Sequence, residues 1–311
     1  MRIKSVLSVF LTFCLCFCLI GCEKEEDAAD PSKLQVYTSF YGVYDFVSKI
    51  GGDKIQVYNI VPTGTEPHNW EPTSGDMMNL SKGDILFFNG AGMENWVDKV
   101  KAAVENENLK YIKLSEGIEL IKSGHSHEDA HGDSGFDSID PHIWLNPMNA
   151  KKEAETIKNA LSAADPSNAE YYNKNYEDFS KKADELDADF KNMTARAENK
   201  AIVVAHEAYG YLCEAYGIEQ IAIEGLSADS EPSPAKMAEI SKFIKDNGVE
   251  YIFFEKLLSA KAAEVISEET GAKLLVLNPF EGLAEEDIEA GADYFSVMRE
   301  NFENIKKAIE K

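Results

Sequence analysis

Six histidines occur in the 311 residues, few enough to place one by one. His68 stands in Thr65-Glu66-Pro67-His68-Asn69-Trp70, shortly after an apolar strand pattern that ends at Val61. His142 stands in Asp140-Pro141-His142-Ile143-Trp144, and His206 directly follows the apolar run 201–205. None occupies the apolar face of a long helix, where a histidine is usually a core residue. Ligands in α/β proteins gather at the carboxyl ends of strands. Three neutral imidazoles there can hold a borderline-soft divalent metal at ~2.0–2.1 Å. A closed site needs a fourth donor, and a carboxylate is the natural one. Glu281, just past the run 273–277, leads on position, with Glu66, Asp140 and Glu207 as competitors. A catalytic zinc would instead leave one position to water. The zincin pattern His-Glu-x-x-His is also absent, because His206-Glu207 continues as Ala208-Tyr209-Gly210. The chemistry reads as metal binding, with a zinc hydrolase as the rival class. The remaining histidines, His125, His127 and His131, share a loop with Glu128, Asp129 and Asp133. That loop reads equally as a secondary metal-holding segment and as a plain solvated one.

Short apolar runs must carry these side chains. Strand patterns occur at 34–38, 55–61, 85–88 and 111–114, and again at 201–204, 218–223, 251–254 and 274–277. Helix-like stretches alternate with them, including 41–50 and 94–104. That alternation predicts parallel sheets in an α/β protein. Between the halves, Asp165-Pro166 is a helix start. Beyond it Tyr172, Tyr176, Phe179, Ala183, Leu186, Phe190, Met193 and Ala197 recur every three or four residues. The stripe lacks the Ile/Leu code of a coiled-coil seam. It predicts one long helix over 165–199, linking an N-terminal lobe (34–164) stiffly to a C-terminal lobe (200–311). Since strand-end loops carry little core, the Glu281 segment is expected to be the least ordered part of the site without metal.

The N-terminus reads as an export signal. Arg2 and Lys4 precede an apolar run to Ile20, too short to span a bilayer as a helix. Leu19-Ile20-Gly21-Cys22 resembles a bacterial lipobox, which makes 1–21 a signal peptide, Cys22 the lipidated residue and 22–33 a flexible tether. Of five cysteines only Cys213 remains in the folded part, so no disulfide is expected there. Asp and Glu number 55 against 31 Lys and Arg, a formal charge of -24. Such a surface repels nucleic-acid phosphates and excludes them as partners.

Several separate motifs then carry a family resemblance: 64–72, 140–147, 205–211, 230–234 and 277–283. From about Leu34 onward the chain resembles the solute-binding lipoproteins of bacterial zinc and manganese ABC importers. The resemblance implies two lobes, each with a four-stranded, mainly parallel sheet flanked by helices, joined by one rigid helix. It implies that His68, His142 and His206 are metal ligands and places the fourth at Glu281. Retention of His206 together with Glu281 resembles the zinc-binding, laminin-adhesin branch, so Zn2+ is expected, with Mn2+ as the alternative. It further implies an extracytoplasmic monomer held on the outer face of the membrane by lipid on Cys22. The expected partners are an ABC permease and its ATPase, with a host matrix protein as a secondary ligand.

Overall fold

The computed structural model describes residues 30–122, 139–197, 200–226 and 232–310. By its contacts the chain divides into residues 1–32 and 33–311, and the second unit holds both sheets. The first sheet comprises Leu34–Thr38 (β1), Ile55–Asn59 (β2), Ile85–Phe88 (β3) and Lys110–Lys113 (β4). Its order is β2-β1-β3-β4 with every pairing parallel. The second comprises Ala201–Val204 (β5), Glu219–Ala222 (β6), Tyr251–Phe254 (β7) and Lys273–Val276 (β8), in the order β6-β5-β7-β8, again all parallel. The two halves thus repeat one topology. β3 and β5 are buried along their whole length, which is why their sequences lack polar alternation. The apolar pattern of the second strand runs on to Val61 because Ile60 and Val61 still donate to the carbonyls of Thr38 and Ser39 past the regular ladder.

Helices flank and join the sheets: Tyr41–Gly51 (α1), Ser74–Leu80 (α2), Val97–Ala103 (α3), Pro147–Ala164 (α4), Ala169–Thr194 (α5), Gly210–Tyr216 (α6), Pro234–Asn247 (α7), Lys261–Thr270 (α8), Glu285–Glu289 (α9) and Tyr294–Ile309 (α10). The amphipathic stripe becomes α5, burying Tyr172, Phe179, Ala183, Leu186, Phe190 and Met193. Asp165 accepts hydrogen bonds from Ser167 Oγ, Asn168 Nδ2 and Tyr172 OH, and Pro166–Asn168 forms a 3-10 turn before α5 begins. Phe179 meets Phe46 of α1 at 5.1 Å and Phe295 of α10 at 4.8 Å between ring centroids. Phe190 stacks on Tyr216 of α6 at 4.8 Å and meets Phe302 of α10 at 5.2 Å. One helix therefore packs against elements of both halves. It is not alone: α4 lies against it, a helix the sequence pattern did not reveal. Asn146 caps α4 by accepting from the Met148 N–H, and Pro147 occupies its first turn.

Among the described residues, no helix is long and apolar enough to cross a membrane. Cys22 and the signal segment lie outside the described residues, as do His125, His127 and His131. Cys213 is buried with a free thiol, as its apolar setting suggests.

Candidate metal centre

Strand ends deliver most of the site. His206 lies two residues past β5, Glu255 immediately past β7, and Glu281 on the turn after β8. His68 comes from the loop between β2 and α2, where its backbone N–H donates to Glu66 Oε1 at 2.9 Å. His142 arrives by a different route. An isolated antiparallel bridge, Lys122 to Ile139, aims the chain inward, and the Asp140 N–H donates to the Ile121 carbonyl. Gly210 lets Asp140 come close, since a Cβ there would lie 2.4 Å from Asp140 Oδ2.

The four predicted residues converge. One donor atom from each of His68, His142, His206 and Glu281 lies within 4.8 Å of all the others. His142 Nε2 is 2.8 Å from Glu281 Oε1 and 3.2 Å from His68 Nε2. His68 Nε2 is 3.5 Å and His206 Nδ1 3.9 Å from the same carboxylate oxygen. A tetrahedron with metal–ligand bonds of ~2.0–2.1 Å has edges of about 3.3–3.4 Å. The donors thus stand close to the spacing a four-coordinate zinc requires, and their nature, three nitrogens and one oxygen, suits that ion.

The competing acids have other places. Asp140 Oδ1 accepts from the His142 backbone N–H at 2.9 Å and lies 2.7 Å from its Nδ1, so it orients the ring and leaves Nε2 facing the cluster. Glu66 caps the His68 backbone and, with Glu255, Leu257 and Glu281, lines a small cavity opening beside the cluster. The Glu207 N–H donates to the Gly225 carbonyl, and its side chain is not among the converging donors. Sequence reasoning missed Glu255, a buried carboxylate whose Oε1 sits 3.1 Å from His206 Nδ1. The signal existed: an acid directly after the apolar run Tyr251–Phe254, the same logic that found Glu281.

Burial and charge act against each other here. Burial pushes the His206 pKa down, but the facing Glu255 and Glu281 carboxylates and the Leu226 carbonyl, 2.8 Å from Nε2, carry it up to about 10. His142 follows the same pattern: burial opposes its charge, and Asp140 and Glu281 more than restore it. Glu281 is buried too, yet the surrounding histidines hold its carboxyl well below the usual range. Burial raises Glu255, with His206 opposing. Without metal, positive charge on His142 and His206 thus balances the Glu281 carboxylate.

The expectation of a loosely tied Glu281 segment is not what the structure shows. Phe280 is wholly buried, with its ring 5.6 Å from both Tyr41 and Tyr294. Its N–H donates to Asn278 Oδ1, and Asn301 clamps Asn278 through both its amide groups. Trp144 Nε1 donates to the Pro279 carbonyl at 2.7 Å, joining the His142 segment to the Glu281 segment. Phe280 has φ 60°, a left-handed conformation that costs a residue with a Cβ about 1–2 kcal/mol. Its carbonyl reaches α1 only because position 42 is glycine, where a Cβ would come within 2.9 Å of it.

The chain matches known proteins along most of its length. The family profile described as "ZnuA: Zinc-uptake complex component A periplasmic" matches residues 36–308. "High-affinity zinc uptake system protein ZnuA" of Bacillus subtilis (strain 168) is 36% identical over 302 residues, covering 94% of this chain and 95% of that protein. "Zinc-binding lipoprotein AdcA" of Streptococcus pneumoniae (strain ATCC BAA-255 / R6) is 35% identical over 311 residues, 99% of this chain but only 62% of its own length. The crystal structure of the Zn(II)-bound ZnuA-like domain of Streptococcus pneumoniae AdcA matches with a TM-score of 0.77 at 35% identity, covering 90% of this chain and 100% of that one. The laminin-binding protein Lmb of Streptococcus agalactiae, described as bifunctional with adhesin and metal-transporting activity, matches with a TM-score of 0.78 at 27% identity, covering 89% of this chain and 99% of that one.

Proposed function

Because the chain belongs to the ZnuA family of zinc-uptake components, we propose that it is an extracytoplasmic receptor that captures zinc and delivers it to an ABC importer. The observation that carries this reading is the convergence of His68, His142, His206 and Glu281 at near-tetrahedral spacing. Zinc is preferred to manganese because three of the four donors are nitrogen, whereas manganese favours more oxygen and a larger shell. The four residues act as the ligands, with Asp140 on Nδ1 of His142 and the Leu226 carbonyl on Nε2 of His206 orienting two of the histidines. Four protein donors close the shell and leave no position for an attacking water, which favours transport over catalysis. The family itself is one of solute-binding transport proteins. A matrix-binding role is supported by likeness to laminin-binding neighbours alone and is not adopted.

The partners in this reading are a permease and its ATPase, and the receptor works as a monomer. Residues 1–21 form the signal peptide, 22–33 the tether, 34–164 and 200–311 the two lobes, and 165–199 the linking segment. Lipid on Cys22 holds the chain at the outer face of the membrane, since two or three acyl chains anchor stably at about 0.8 kcal/mol per buried methylene.

The test is metal content and titration on the full chain. Protein purified without added metal should carry about one zinc and no manganese. Glu281→Ala should weaken zinc binding while leaving circular dichroism unchanged, and removing any one histidine should weaken it more. Cys22→Ala should accumulate as unprocessed precursor. A wild-type chain that takes up no zinc after chelator stripping would sink the reading.

A further inference from the structure

We infer that Phe280 is a positioning residue that fixes Glu281 against His142 before any metal arrives, and that it thereby sets the preference of the site for zinc over larger, oxygen-seeking cations. The inference rests on the zinc-receptor reading and names the device behind its selectivity. Left-handed backbone is ordinarily the province of glycine and asparagine, and a buried aromatic is an unexpected occupant. Among the described residues the only other non-glycine with positive φ is Ala91, which is small. Something must therefore hold Phe280 in place, and the packing supplies it. The ring is fully buried between Tyr41 of α1 and Tyr294 of α10. The peptide group that precedes it is also tied on both sides, its N–H to Asn278 Oδ1 and its carbonyl to Trp144 Nε1. Trp144 is itself held by Tyr294 OH, which donates to its carbonyl at 2.8 Å.

The consequence falls on the next residue. Return of Phe280 to a right-handed or extended conformation would swing the Cα–Cβ bond of Glu281 out of the cluster. While the ring stays seated, Glu281 Oε1 stays 2.8 Å from His142 Nε2. A four-coordinate zinc, with edges of about 3.3–3.4 Å, needs this pair to part by only about half an ångström. An ion that seeks more oxygen donors must also admit further ligands between the same residues, and the anchored turn opposes the opening they need. Rigidity at Phe280 is thus the source of discrimination, in addition to the donor types.

Three variants of the full chain test this. Phe280→Gly frees the backbone and deletes the ring, Phe280→Leu keeps apolar bulk with poorer seating, and Trp144→Phe removes only the N–H that grips Pro279. Each is stripped of metal, followed by hydrogen exchange across residues 277–283, and titrated with zinc and with manganese by chelator competition. The metal-free wild type should exchange slowly there, and each variant faster. Zinc affinity should fall about tenfold or more in Phe280→Gly, equal to about 1.4 kcal/mol, while manganese affinity changes far less. The two milder variants should move the zinc-to-manganese ratio in the same direction, and they carry the test if the glycine variant does not fold. A lower melting temperature with an unchanged ratio would mean a purely structural role and would overturn the inference. Failure of the wild type to bind zinc would overturn both this and the receptor reading. Wild-type binding with unchanged ratios would overturn the inference alone.

Discussion

His206 has the most measurable chemistry of any single residue. Burial opposes its charge, but Glu255 and Glu281 hold its pKa at about 10 in the metal-free protein. At neutral pH zinc must therefore displace a proton to bind. Zinc affinity should climb through the ordinary histidine range near ~6.5 and keep climbing toward pH 10, where unperturbed imidazoles would have levelled off. Chelator competition from pH 5.5 to 9.5 reads this directly, and a plateau from about pH 7.5 upward would contradict it. The stability of the metal-free protein follows the same linkage. A raised histidine pKa stabilises fully below ~6.5 and ceases to do so as pH rises through about 10. The depressed Glu281 stabilises above its unfolded value of ~4.3 and loses that effect as pH falls toward its folded value. The two effects coincide between about pH 4.3 and 6.5, and melts of the stripped protein should soften above that window. The ligand histidines were legible because the residue is rare here and stood at strand ends beside prolines and acids. Glu255 carried the same strand-end signal, but one acid after an apolar run looks like any surface acid until the fold closes over it. Phe280 gave no signal at all, because left-handed backbone is announced by glycine or asparagine and not by phenylalanine.

At the scale of elements, α5 decides how the two halves are held. Phe179 touches both α1 and α10, so its loss leaves a cavity that neither half can fill by itself. Phe179→Ala should lower the stability by about 3–5 kcal/mol, read as an earlier midpoint in urea. Lys181→Ala on the exposed face of the same helix, where the side chain is 78% exposed, should change it by less than about 0.5 kcal/mol. Equal effects from the two would mean that α5 bears no load between the halves. This helix was readable because its stripe holds large side chains at helical spacing. Its neighbour α4 was not, because its buried face is Ala150, Ala154, Ile157 and Leu161, two of which are alanines that blend with a polar sequence. The strands were placed to within a residue or two, since parallel strands buried on both faces show as unbroken apolar runs. The sheet order was beyond the sequence, because nothing local says which strand lies beside which.

For the molecule as a whole, each half contributes two of the four donors, so neither half alone makes a site. Three of those donors are also sealed from water: His142 is 0%, His206 1% and Glu281 6% exposed. An ion in such a position has almost no open face for a competing ligand to approach. A chelator in solution cannot attack it and must wait for the protein to open. The rate at which zinc is stripped should therefore become independent of chelator concentration once that concentration is high, its ceiling being the opening rate of the protein. A stripping rate that grows in proportion to chelator without limit would show instead that the ion can be reached in place. Sealing of this kind separates how tightly the ion is held from how quickly it is surrendered, and it makes timely release something that must be done to the receptor from outside.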